Sequence, residues 1–454
     1  MSKTLVILES PAKAKKVAGF LGADYIVRAS VGHVRELPPP NKMTPAEKEK
    51  YSEYAIDIQN NFSPLFKNSR DKAKVIADLK TQLAKCDKLI GMTDDDSEGA
   101  SILWHLLEIL KPKVPVYRAV THEITKTGVE DALKNMELVD QKKKQPDAFY
   151  GAAEAALTRA LWDRLYGFST SPYVWKTIKS GTSSGRVQTP GARLVVEREM
   201  KRLAFKSVSY YSISGLFGEH EGTLVEYKKQ KIASGSHIDD EGVVKKGYLL
   251  ITDDNLDDIL KDLRKKDYVV GEVSSKPYRR SPPPPFTTAA ALQSIGAKTR
   301  MGSKQITSIL QNLYASDGAI TYIRTVSVEA APEAIKAARA SLKNLYGTNY
   351  VPGSPRVHKD KKSGNSGHEA IRPVLDDSGN LLKKSFSDKK VDTVFDLIYR
   401  RMLASQSIDC VGTTWSASFV AVDGLAKFTA SETEIHEPGW TKVYDAEDVS
   451  IQIE

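Results

Sequence analysis

The sequence has 454 residues, enough for about three folding units at roughly 150 residues each. Hydrophobic residues at 41% and charged residues at 27% are ordinary globular composition, which excludes wholesale disorder, a collagenous or coiled-coil rod and a small disulfide scaffold. Lysine and arginine total 66 against 57 acidic residues, and the net charge of +9 favours a polyanionic partner without defining one.

In chain order, Thr4-Leu5-Val6-Ile7-Leu8 is a continuous apolar run, the pattern of a strand buried on both faces of a parallel sheet. A helix follows from Lys13 to Leu21, then strands at Tyr25–Ser30, Lys88–Met92 and Val114–Tyr117, with helices from about Glu98 to Leu110 and Thr125 to Asn135. Strand alternating with helix predicts an α/β layer whose site lies at the strand C-terminal ends. A Pro-rich interruption, Leu37 to about Phe66, reads as an excursion into a neighbouring domain. The α/β pattern stops near Lys142-Lys143-Lys144, and an alanine-rich helix runs from Phe149 to Gly167. A Gly/Ser loop, Ser180 to Gly185, separates it from a helix at Thr189–Arg202.

Short alternating segments from Val208 to Ile251 and from Thr413 to Val449 predict antiparallel strands that pair into one domain split by an insertion. The insertion begins after Pro282-Pro283-Pro284-Pro285, with helices near Thr288–Ser294 and Gly302–Leu313 and a loop at Val351–Ser366. Cys86 and Cys410, the only cysteines, lie far apart, which fits a reducing compartment. No apolar run reaches the roughly 18 residues of a membrane span and no signal-peptide pattern is present. A soluble intracellular protein without a membrane partner is the expectation.

Several residues carry possible chemistry. Asp94, Asp96 and Glu98 crowd the end of a buried strand, with Glu9 at the end of another. A divalent cation would offset their repulsion, although helix caps and acidic loops show the same pattern. Lys13 in the first turn of its helix can meet a phosphate beside exposed amides, or can simply be solvated. Arg186 and Gln188 suit phosphate and base-edge contacts, and Arg159, Arg164 and Arg193 would extend a positive surface or face solvent. In Gly318–Thr325, alternation on a strand puts Ile320, Tyr322 and Arg324 on one face, so that the guanidinium can stabilise charge near a tyrosine nucleophile. A core tyrosine is the alternative. His368, Glu369 and Arg372 cluster without forming a zinc HExxH motif.

Taken in order, these motifs resemble the type IA DNA topoisomerases. Leu5–Lys15, Ser30-Val31-Gly32-His33, the acidic Thr93–Gly99, Gly185–Thr189, Pro284–Thr288, Ile320–Thr325 and His368–Pro373 match seven family motifs in the family order. The resemblance implies a multidomain α/β and α+β fold forming a ring. Its parts would be a Toprim metal-binding domain (1–36 and 66–148), a helical single-stranded-DNA-binding base domain (37–65 and 149–207), a β-rich arch (208–278 and 391–454) and an active-site tyrosine domain (279–390).

The resemblance also implies that Tyr322 attacks the scissile phosphate, that Arg324, His368 and Lys13 stabilise it, and that Glu9 passes a proton to the departing 3′-oxygen. Asp94, Asp96 and Glu98 would hold Mg2+. His33, Arg159, Arg186 and Gln188 would contact the single strand, with Asp163 shaping the groove. The implied activity is ATP-independent relaxation of negatively supercoiled DNA by a monomer, in the bacterial cytoplasm or a viral or organellar setting. A catalytically impaired single-stranded-DNA-binding protein and a decatenating member are the alternatives. Ser97, Val326 and Ala160 depart from the family's usual arginine, aspartate and second basic residue. The sequence stops soon after Gly439–Val443, before a further base segment and zinc-binding cysteine clusters, so a short form or fragment with reduced relaxation is expected.

Overall fold

The computed structural model describes residues 3–139, 148–360 and 368–444. Lys142–Lys144, the end of the loop at 351–366 and the last predicted strand residues therefore lie outside the described residues. The chain divides into two units: Met1–Arg186 with Pro282–Ile408 and Trp440–Glu454, and Val187–Ser281 with Asp409–Gly439.

The first unit is built on strands β1 (Thr4–Leu8), β2 (Tyr25–Ala29), β3 (Lys88–Met92), β4 (Val116–Ala119) and β5 (Glu137–Leu138) in the order β2-β1-β3-β4-β5. The first four are parallel and β5 runs antiparallel to β4. The apolar run of β1 serves two cores, because successive side chains point to opposite faces. Val6 and Leu8 pack with Ile90, Met92, Phe286, Leu313, Tyr314, Tyr322 and Phe395, while Leu5 and Ile7 pack with Leu89, Leu103, Leu106 and Phe149. One sheet face thus carries the tyrosine-bearing segment.

Helix α1 (Pro11–Phe20) starts with Ser10 Oγ accepting the Lys13 N–H at 3.2 Å and proline in its first turn, where a missing N–H costs nothing. Helix α2 (Ser97–Leu110) is capped by Asp96, whose Oδ1 accepts the Gly99 N–H at 2.7 Å. Helix α3 (Lys126–Lys134) follows β4. Helix α4 (Ala148–Thr177) runs ten residues past Gly167, where the sequence predicts its end, and passes through Pro172. Its first part packs along α2 and on the Leu37–Phe66 excursion, and past Gly167 it is tied to the following Gly/Ser loop, where Ser171 Oγ accepts the Ser184 N–H at 3.1 Å and Trp175 Nε1 donates to Thr182 O at 2.6 Å.

One expectation is corrected. Ile320–Arg324 is not a regular strand with two faces. Only an isolated bridge joins Ile320 to Pro373, and Ala319 through Ile323 are all buried. Its backbone donors go to two different segments, Thr321 to Arg372 O and Tyr322 to His122 O, so no ladder forms. Val394, Phe395 and Ile398 of the helix Lys389–Ser405 share the core of Leu313 and Tyr314. That helix belongs to the first unit.

In the second unit, the strand His220–Tyr227 pairs antiparallel with Ala426–Glu437, joining two stretches about 200 residues apart. Ala426–Glu437 pairs in turn with Cys410–Ala421, and that strand with Tyr268–Arg280. The sheet packs on the helix Asp253–Arg264 through Leu224, Ile259, Leu263, Phe419 and Phe428. The helix Gln188–Ala204 also falls in this unit. Among the described residues, no helix is long and apolar enough to cross a membrane.

Candidate active site

Glu9 follows β1, Ser30–His33 follow β2, Asp94 and Asp96 follow β3, and His122 and Glu123 follow β4, so the parallel strands deliver all of them to one sheet edge. The Asp94 N–H donates to Glu9 Oε1 at 2.8 Å. Lys13 is buried between these carboxylates, 3.4 Å from Glu9 Oε2 and in contact with Asp94 Oδ1, so it is not the solvated lysine of the bare sequence. Burial, and then the charge of Asp94, push the Glu9 carboxyl up to about 7, with Lys13 opposing. Gly99 permits this closeness: a Cβ there would fall 2.4 Å from Asp94 O and 2.8 Å from Glu9 Oε1.

Tyr322 reaches the same edge from the other half of the unit. Its N–H donates to His122 O at 3.0 Å, and the Thr321 hydroxyl donates to Ala370 O at 2.7 Å. Nearby, Lys16 Nζ donates to Asp317 O at 2.6 Å, and Gly318, at φ +54°, lies so close to Ile124 O that a Cβ would approach within 2.8 Å. The Tyr322 hydroxyl then donates to Asp96 Oδ2 at 2.6 Å. Arg324 Nη1 lies 3.9 Å from that oxygen with its side chain largely in solvent, and the His368 ring centroid is 5.6 Å from the Tyr322 ring. Burial, the bond to Asp96 and the charges of Asp94 and Asp96 raise the phenol far above its ordinary value, so it is protonated in this arrangement. A phenol beside a guanidinium, an imidazole and carboxylates suits nucleophilic attack on a phosphate ester.

A buried charge network clamps the two halves. Arg372, only 3% exposed, donates to Glu369 Oε2 at 2.8 Å and Oε1 at 3.0 Å, and to Glu123 Oε2 at 3.4 Å. Burial alone would raise the Glu369 carboxyl, but Arg372 and the Ala331 N–H hold it below its usual range. Beside this clamp lies a cavity of about 830 Å³ lined by Asp95, Arg118, His122, Glu123 and Arg372.

The candidate strand-binding residues form a second group. His33 Nε2 lies 2.8 Å from Glu98 Oε1 after a turn in which Val31 (φ 58°) and Gly32 (φ 79°) are left-handed. For a β-branched residue that backbone costs on the order of 1–3 kcal/mol, and here it directs the Gly32 N–H to Glu9 O at 3.0 Å. His33, Glu98, Arg159 and Asp163 line a cavity of about 680 Å³. Arg159 donates to Ser97 Oγ at 3.1 Å, bringing a positive charge to the position where the resemblance expects arginine. Arg186 binds Asp163 through Nε at 2.8 Å and Nη2 at 3.4 Å. Gln188 belongs to the second unit. Arg164 braces Leu37 O and Pro38 O, and Arg193 pairs with Glu197 at 2.7 Å, so neither adds the free positive surface the sequence suggested.

Residues outside the sequence reading also matter. Tyr314, fully buried, donates its hydroxyl to Asp94 Oδ1 at 2.8 Å, a role with no local signal. His105 accepts from Arg35 Nε at 3.0 Å, and burial, then Arg35 and His33, lower its imidazole to about 3. Asp95 and His122 join His368 in a group able to hold a metal ion, the one such group of three among the described residues. Asp94, Asp96 and Glu98 do not converge in that way, being engaged by Lys13 and Tyr314, by Gly99 and Tyr322, and by His33. Their oxygen donors nevertheless suit magnesium, an ion that keeps several waters and needs only one or two carboxylates, and Asp94 already holds the Lys13 cation.

The sequence family described as DNA topoisomerase matches residues 148–452, and the Toprim domain family matches 4–124. DNA topoisomerase 1 of Synechococcus elongatus is 38% identical over 97% of this chain and 50% of its own length. The enzyme of the same name from Streptomyces coelicolor is 37% identical over 97% of this chain and 47% of its own. The solved structure of full-length topoisomerase I from Thermotoga maritima superposes with a TM-score of 0.74 at 28% identity, covering 97% of this chain and 67% of that one. The chain spans about half the length of the curated relatives it matches.

Proposed function

The chain belongs to the type IA DNA topoisomerase family, and on that premise we propose that it cuts one DNA strand through a 5′-phosphotyrosine, passes another strand and rejoins the cut. The reaction needs no ATP, uses magnesium and relaxes negative supercoils. The observation that supports this most is the Tyr322 hydroxyl held on Asp96 at the carboxylate-lined sheet edge, with Arg324 and His368 beside it.

In this reading the Tyr322 oxygen bonds to phosphorus as the bond to the 3′-oxygen breaks. Asp96, which accepts the phenol O–H, receives its proton, and Glu9, with a value near 7, protonates the departing 3′-oxygen. Rejoining reverses each transfer. Arg324 and His368 neutralise the phosphate, and Lys13 orients Glu9 and Asp94. Asp94, Asp96 and Glu98 would hold magnesium, which would supply positive charge beside the scissile group. His33, Arg159 and Arg186 grip the single strand, and Asp163 orients Arg186.

Residues 1–36 and 66–148 act as the Toprim domain, 37–65 and 149–207 as the base, 208–278 and 391–454 as the arch, and 279–390 as the tyrosine domain. The junction of Tyr322 with the sheet edge is the gate that opens for strand passage. Substrates are single-stranded DNA and negatively supercoiled duplex with melted regions, bound by a monomer in a bacterial cytoplasm. The test is to mix the protein, magnesium and 5′- or 3′-labelled single strands and to stop with denaturant. A covalent adduct through the new 5′ phosphate, absent in Tyr322→Phe, is expected; no adduct in the unaltered protein would overturn the proposal.

A further inference from the structure

We propose that Asp95, His122 and His368 form a second metal site, separate from Asp94, Asp96 and Glu98, that takes a borderline divalent transition ion such as Zn2+. One ligand atom from each lies within 4.8 Å of the other two. A tetrahedral zinc site needs ligand atoms roughly 3.3–3.6 Å apart, given bonds of about 2.0–2.2 Å, so small rotations of three side chains close it. Two imidazoles and one carboxylate are donors that zinc, nickel and copper prefer, whereas magnesium prefers oxygen alone. The two neighbouring sites therefore sort their ions by donor chemistry.

The ligands sit on a fixed frame. Asp95 lies between Asp94 and Asp96, both pinned by hydrogen bonds. The His122 carbonyl accepts the Tyr322 N–H at 3.0 Å, and the next residue, Glu123, binds Arg372. His368 precedes Glu369, which Arg372 and Ala331 hold. The two imidazoles stand 6.2 Å apart at 87°. Asp95 and His122 line the cavity of about 830 Å³, which supplies an access route. Arg118 Nη2, 3.5 Å from Asp95 Oδ1, shows that this carboxylate already attracts a cation.

His368 comes from the tyrosine-bearing half of the unit, and Asp95 and His122 come from the sheet edge, so a bound ion ties the two together and occupies His368. The site stands without the proposed function. On that function, the ion would inhibit cleavage by withdrawing His368 from the scissile phosphate.

The test titrates the full chain, free of DNA, with Co2+ in millimolar magnesium and follows the visible absorption of the bound ion. One Co2+ per chain, displaced by one Zn2+, is expected. Asp95→Asn and His122→Ala should each weaken binding by about tenfold or more, and His220→Ala, on an exposed strand, should leave it unchanged. Circular dichroism and melting establish that the variants are folded. Undiminished binding in both site variants, or no saturable binding in the unaltered protein, would overturn the site. In the cleavage assay, added Zn2+ should inhibit the unaltered protein and spare His122→Ala; equal inhibition of both would overturn the inhibitory consequence alone.

Discussion

Tyr322 and Asp96, 226 residues apart in the chain, meet through a 2.6 Å hydrogen bond in which the phenol donates. Asp96 also caps α2, so the carboxylate that receives the tyrosine is held by the helix it starts. The geometry links strand order, helix capping and the seating of the Tyr322 segment in one contact, and the following variants probe its supports.

Glu9 has a raised carboxyl value of about 7 against an ordinary 4.5, chiefly through burial. Folding therefore favours its protonated form. This stability is fully present below about pH 4.5 and is lost as pH rises through about 7. Glu9→Gln is neutral in both states and escapes the loss. Without divalent ions, its stability relative to the unaltered protein should rise by about 3 kcal/mol between pH 4.5 and 8, measured by urea unfolding.

His105 is shifted the other way, to about 3 from an ordinary 6.5, and its neutral form accepts from Arg35. The unfolded chain takes the proton first. Stability from this group is thus complete above about pH 6.5 and declines as pH falls toward 3. Melting temperatures of His105→Gln should fall less steeply over that window, with a difference on the order of 4 kcal/mol across it.

Arg372 balances two carboxylates from different halves of the first unit. Arg372→Met leaves Glu369 and Glu123 without their cation in a largely buried setting and should cost about 3–5 kcal/mol in thermal unfolding. Adding Glu369→Gln to it should recover part of the loss. A double variant less stable than the single one would contradict this account.

Gly99 allows the start of α2 to lie against Asp94 and Glu9. In Gly99→Ala the new methyl must displace Asp94 O or the Glu9 carboxyl, costing about 1–3 kcal/mol. Cleavage should fall far more than global stability, because the displaced groups are those of the candidate site. Parallel adduct and melting measurements check the comparison.

Much of the α/β layer was legible locally. The run Thr4–Leu8 needs two buried faces, and it has them; the acidic cluster after Lys88–Met92 lands at the predicted strand end. The strand expected at Ile320–Arg324 was not, because alternation describes one sheet surface, whereas this segment is bonded to His122 on one side and Arg372 on the other. The end of α4 is not legible locally either: Gly167 and Pro172 are weak stops, and the turns beyond them are held by hydrogen bonds from Ser171 and Trp175 to the following loop.

By itself the sequence determined the parallel-sheet pattern, the family and the residue types gathered near each strand end, since these depend on periodicity and motif order within short windows. Only the tertiary structure decided that Lys13 is buried among carboxylates, that Arg159 approaches Ser97, and that Asp95, His122 and His368 share one small space. Those facts rest on side chains brought together from segments up to hundreds of residues apart, where burial and charge, rather than local pattern, decide the partner.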